Sequence, residues 1–116
     1  MIEIMIMDFL KKQNIEGIGE NIFLEVPQKV PEQYILIQKT GGNIVNHIKH
    51  ATLAIRSISS KSKYSAAVVN DAVIDNLLYK LDNAGIASCT LNSTYDFPDV
   101  TTKKHRYQSV FNFNYY

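Results

Sequence analysis

From Tyr107 onward the aromatic residues Tyr107, Phe111, Phe113 and Tyr115 fall on odd positions, while Gln108, Asn112 and Asn114 fall on even ones. A repeat of two is the period of extended backbone, so the aromatic side chains line one face of a strand and the polar ones the other. Rings of this size carry a large apolar area, which predicts that their face is a wall of the core. Just upstream, Ala87, Cys89, Leu91, Tyr95 and Phe97 alternate with Ser88, Thr90, Asn92, Thr94 and Asp96. The sequence therefore closes with two long strands joined by a short polar connection, and the last strand is expected to be structural rather than a tail.

The rest of the chain supplies what such strands lean on. Ile2, Met5, Ile6, Phe9 and Leu10 recur at helical spacing, predicting a short amphipathic helix that ends near Gly17. Ile22 to Val26 reads as a brief strand closed by Pro27, and Tyr34 to Thr40 as a second strand. Gly41-Gly42-Asn43 is a turn signal, and Ala51 to Ser57 reads as the third strand, so the two flank an extended hairpin tip. The longest helix starts at Ser62, a competent cap, and runs to about Asn83 before Gly85. Its apolar residues Ala66, Val69, Val73, Ile74, Leu77, Leu78 and Leu81 share a face, with Asp71, Asp75 and Asp82 behind. The expected fold is α+β, in the order α-β-β-β-α-β-β: an antiparallel sheet of about five strands packed on one long helix, with a short N-terminal helix. Residues 1–116 suit one domain.

Composition narrows the functional classes. A net charge of +1 gives no concentrated basic face of the kind that grips nucleic acid. The lone Cys89 leaves no intramolecular disulfide and fits a reducing compartment. The N-terminal segment predicts no signal peptide, and no apolar run approaches the ~20 residues of a membrane span.

Residues able to do chemistry do not converge. His47 and His50 are three apart, which in extended chain turns them to opposite faces, and the simpler reading is two exposed loop histidines. His105 lies between Lys104 and Arg106 and is expected to be solvated. Gly41-Gly42 lacks the following Lys and Ser/Thr of a phosphate loop. Cys89 reads as a small core residue with no histidine placed to activate it. Asp71 and Asp75, four apart, share a solvated helix face and form an acidic stripe. Arg56, Lys103, Lys104 and Arg106 are the basic residues that a neighbouring copy would bring to it. An enzyme with a cofactor or metal is not expected.

The pattern Tyr95-Asp-Phe-Pro-Asp, then Thr102-Lys103, Arg106-Tyr-Gln108 and Val110-Phe-Asn-Phe113, also resembles the C-terminal signature of tail terminator proteins from tailed phages and prophages. These are often labelled minor capsid proteins and resemble the tail-to-head joining proteins of siphophages. Val30-Pro-Glu-Gln-Tyr-Ile-Leu-Ile-Gln-Lys-Thr-Gly-Gly42 and His50-Ala-Thr-Leu-Ala-Ile-Arg-Ser57 fit the same family in the expected order. The chain departs from it at Pro98 and in the two asparagines of the aromatic strand. The resemblance implies a non-enzymatic virion protein at the head–tail junction, present in the host cytoplasm during assembly. It implies a ring, commonly a hexamer, that caps the tail tube, stops its polymerisation and offers a docking surface to the head connector. DNA would be only passing cargo, and no membrane is involved. In that picture function lives in interfaces. The hairpin tip from Gly42 to Lys49, with Asn43, Ile44, Val45, Asn46, His47, Ile48 and Lys49, is the first candidate. The connection Asp96 to Arg106 is the second, with Asp99 and Thr101 as turn formers and Arg106 paired to Asp96 or to an adjacent subunit. Other readings stay open: another connector, stopper or minor capsid component, a small ligand-binding domain or enzyme, or, more distantly, a nucleic-acid-binding module.

Overall fold

Five strands and two helices follow one another in the computed structural model, which describes residues 1–82, 84–98, 101 and 104–116. Helix α1 spans Ile2–Lys12, then come β1 (Ile22–Phe23), β2 (Gln33–Val45) and β3 (Ile48–Ser59). Helix α2 spans Lys63–Asp75 and widens into a π turn over Asn76–Lys80, before β4 (Ile86–Asp96) and β5 (His105–Tyr115). The sheet order is β1-β2-β3-β5-β4.

The expectation of an antiparallel sheet on one long helix needs correcting. The sheet is mixed, because β1 runs parallel to β2, with Ile22 opposite Ile35 and Phe23 opposite Leu36. Two residues are too few to encode a direction by alternation. Direction is set instead by residues 24–32, which carry the chain back along the sheet before β2 starts. The sheet dominates the molecule, and its covered face is shared by both helices, α1 over β1 and β2 and α2 over β3 and β5. The second helix is also not continuous to Asn83, a residue outside the described set. At Asn76 the side-chain amide donates to Ala72 O at 2.8 Å, competing for the carbonyl of the preceding turn where the helix widens. Its start is the one read from sequence: the Ser65 amide donates to Ser62 Oγ at 3.0 Å. Helix α1 stops at Lys12 rather than near Gly17, and the chain turns through Asn14 at φ 49°.

The covered face is built on the pairing of β3 with β5, which sets Leu53 opposite Phe111 and Ala51 opposite Phe113. Phe111 and Phe113 are fully buried, with ring centroids 6.2 Å apart. Ile2, Ile6 and Leu10 of α1 and Val69, Val73 and Leu77 of α2 meet them, together with Ile35, Ile37 and Ile55. Each such side chain contributes about 1.5–3 kcal/mol by leaving water. A polar cluster centred on Asn70 belongs to this layer. Asn70 of α2 donates to Thr94 Oγ1 at 2.9 Å and accepts from Ser109 Oγ at 2.6 Å, and the two hydroxyls lie 3.1 Å apart. Thr94, itself exposed, is turned to the helix side opposite Ser109 because a bulge between Leu91 and Ser93 reverses the faces of β4. That bulge overturns the simple alternation expected there: Tyr95 is carried to the opposite face, opposite Gln108.

The glycine pair is not the hairpin turn. Strand β2 runs through Gly41 and Gly42, with a register shift between Lys39 and Gly41, and the reversal falls at Asn46-His47. Both have positive φ, 50° and 67°, the conformation of a two-residue hairpin turn whose twist suits the flanking strands. Gly42 serves a different purpose. A Cβ there would lie 2.8 Å from His50 O on the facing strand, whereas one on Gly41 would meet nothing within 4 Å.

Two stability outcomes follow from this. Gly42→Ala should lower the urea midpoint by an amount equivalent to about 1–3 kcal/mol, while Gly41→Ala leaves it nearly unchanged. Equal effects at both positions would refute the close-approach role. Asn70→Ala should cost about 1–3 kcal/mol by stripping a partner from the buried Ser109 hydroxyl, at unchanged denaturant slope.

Candidate functional site

The face of the sheet turned away from the helices carries polar ladders across β3, β5 and the edge strand β4. Arg56 Nε donates to Gln108 Oε1 at 2.7 Å, and Gln108 in turn donates to the Tyr95 hydroxyl. Further along, Thr52 Oγ1 donates to Asn112 Oδ1 at 2.9 Å, and Asn114 Nδ2 to Ser88 Oγ at 2.7 Å. His50 Nδ1 meets Asn114 Oδ1 in the same row. Directly opposed side chains on neighbouring strands are the natural partners for such bonds. The result is a pre-ordered polar surface whose groups are fixed by one another.

One end of this face is different in character. Val26 and Val30, from the segment after β1, join Tyr34, Leu36 and Ile58 in a groove that also contains Arg56, Lys104 and Arg106. Its volume is about 330 Å³, small among ligand pockets and suited to side chains. The cations are held in place by rings. The guanidinium of Arg106 lies 4.6 Å from the Phe97 ring centre and that of Arg56 5.3 Å, while Lys104 Nζ is 5.7 Å from Tyr34. Arg106 Nε also donates to Phe97 O at 3.0 Å. Asp96, one of the two partners expected for Arg106, instead pairs with Lys63 Nζ at 2.8 Å. The hydrogen bond and charge of Asp96 raise the Lys63 ammonium above its ordinary value.

The remaining residues singled out from sequence lie elsewhere. Asn43, Ile44, Val45, Asn46 and His47 are exposed around the hairpin end, with Lys49 exposed and Ile48 half-buried. Ile44 and Val45 are 67% and 51% exposed, so the two aliphatics do not fold back onto the sheet. Strand β5 reaches only as far as Lys49, opposite Tyr115, and the pairs Ile44–Lys49 and Val45–Ile48 extend beyond it. Asp71 and Asp75 are exposed on the outer side of α2, across the molecule from the groove. Lys103 and Asp99 lie outside the described residues. The groove's apolar members Val26, Val30, Leu36 and Ile58 were not singled out from sequence, because nothing in their spacing links segments that far apart. Phe97 and Tyr95 were read on one face with Cys89 and Leu91 by an alternation that the β4 bulge interrupts.

Two of the histidines lie other than expected. His50 is not a loop residue but a half-buried member of β3, and His105 is likewise half-buried in β5, not solvated. Among the described residues, no group of three or more His, Cys, Asp or Glu side chains is arranged to hold a metal. No helix among them is long and apolar enough to cross a membrane.

The fold is shared with a chain from the virion of a native gene transfer agent particle. The two superpose with a TM-score of 0.63 at 15% identity, over 84% of this chain and 79% of that one. At that identity the likeness is one of fold. No protein-family model matches the chain, and no curated protein matches it in sequence.

Cys89 packs against the core from the covered face, and burial pushes its thiol up to about 12. At pH 8 its alkylation should therefore run roughly a thousandfold slower than that of an exposed thiol. The folded value lies above the unfolded one of about 8.5, so the thiol's contribution to stability is complete below that pH. It is lost as pH rises from about 9 through the folded value of about 12. Urea midpoints measured across that window should fall more steeply in the wild type than in Cys89→Ser.

Proposed function

We propose that this chain is a structural, non-enzymatic protein of a virion, and within it a tail terminator. It would form a ring, commonly of six copies, on the end of the tail tube, stop tube growth and present a surface to the head connector. The observation that carries this reading is the fold held in common with a chain of the gene transfer agent virion over 84% of this chain. The resemblance of residues 95–113 to the terminator signature supports the finer assignment. That segment runs from the last two residues of β4 to Phe113 of β5, the strand paired with β3 at the centre of the sheet.

The surfaces described above suit assembly. A projecting hairpin with Ile44 and Val45 in water is a contact element in search of a partner. A closed ring of identical copies needs two different patches per copy that fit each other. The outer face of α2 and the open face of the sheet are chemically distinct and provide such a pair. The protein would assemble in the host cytoplasm and reside at the head-proximal end of the tail, with DNA only passing through.

The test is size-exclusion chromatography with light scattering, on the protein alone and mixed with polymerising tail tube protein. A ring-sized species, or a monomer that becomes ring-sized on capping tubes and shortens them, is expected. A protein that leaves tube length unchanged and binds only the connector would make it a different junction component. Ile44→Asp with Val45→Asp should weaken capping at least tenfold with little loss of fold stability, since both residues are exposed.

A further inference from the structure

The groove on the open face combines an apolar floor with cations, and the outer face of α2 carries the complementary arrangement. Tyr64, Val68, Asp71 and Asp75 follow one another at spacings of four, three and four, so they form one stripe along the helix. Tyr64 is 78% exposed and Val68 47%, unusual for an aromatic and an aliphatic on the solvent side of a core helix. The two aspartates continue the same line one and two turns further on. In the groove, Val26, Val30, Leu36 and Ile58 provide apolar wall, and Arg56, Lys104 and Arg106 provide positive charge; its described lining contains no acid.

We infer that the groove receives the α2 stripe of a second copy of this chain, with Val68 against Val26 and Val30 and the aspartates against the cations. This deepens the ring reading and rests on it for its biological meaning. The geometry is heterologous: α2 sits on the covered face of the sheet and the groove on the open one, so no copy can offer both patches to the same partner. Each copy therefore keeps one free stripe and one free groove, the requirement for growth into a closed ring or an open chain. The apolar residues supply the buried area, while the charges set orientation and speed encounter. Phe97 helps here. By stacking under Arg56 and Arg106 it holds both guanidiniums before docking, which lowers the ordering cost of binding.

Cysteine cross-linking tests the arrangement in the folded, full-length chain. Val30 and Val68 are 40% and 47% exposed, so replacing either leaves the core intact, and the inert Cys89 gives little background. Under mild oxidation with diamide, Val30→Cys mixed with Val68→Cys should give a covalent dimer. Neither variant alone should do so, and the double variant should give a ladder. Asp71→Lys with Asp75→Lys should reduce the mixed dimer at least tenfold, and Lys104→Glu in the partner variant should recover part of it.

Homodimers of one variant, or no cross-link, would overturn the inference. If tube capping persists in that case, the terminator reading stands without this interface. Cross-linking by a protein that does not cap tubes would leave the self-docking intact and remove the terminator reading. DNA binding that falls with salt and with Lys104→Glu, in the absence of a mixed dimer, would assign the groove to nucleic acid and overturn the inference.

Discussion

Eleven consecutive residue pairs between β3 and β5 organise the molecule. Because side chains alternate, this single register sends Ala51, Leu53, Ile55, Phe111 and Phe113 to one side. His50, Thr52, Arg56, Gln108, Asn112 and Asn114 go to the other. A slip of one residue would exchange the two sets, placing phenylalanines in water and amides under the helices. The register therefore decides at once where α1 and α2 can dock and which surface is left to meet other molecules. Strand β4 extends the same division outward from β5, and β2 extends it from β3.

Much of that division was legible in the chain itself. The odd-position aromatics of β5, Ile35 and Ile37 of β2, and the capping Ser62 each act through local rules, and each is where those rules put it. What was not legible depends on non-local geometry. The bulge in β4 is one residue of slack that no composition signals, yet it exchanges Thr94 for Tyr95 on the side facing the helices. Gly41-Gly42 has the chemistry of a turn but lies within a ladder, since Gly42 is needed for the closeness of His50 O rather than for a reversed backbone. The parallel β1 could not be read because two residues hold no alternation. Asn70, by contrast, lies four residues after Ala66 and three before Val73, within the apolar stripe, so its burial was foreseeable from position although its identity argued against it.

The candidate site shows the same split. The hairpin end was readable from its unusual mixture of aliphatic and polar residues. The basic side chains Arg56, Lys104 and Arg106 were readable as a set, but not the surface that unites them. Their common groove is created by the return of residues 24–32 over one end of the sheet, and by Phe97, which lies beyond the bulge. Charge pattern alone could propose a basic patch; only the fold joins it to valines from a distant segment.

The hairpin of β2 and β3 has two mechanical regimes. Up to Lys49 it is clamped by β5, and beyond that point only the β2–β3 pairing continues, to Val45–Ile48, closed by the Asn46-His47 reversal. Such a segment is a short cantilever, anchored where β3 is paired on both sides. Once its end is held, a load on it passes directly to the central strands.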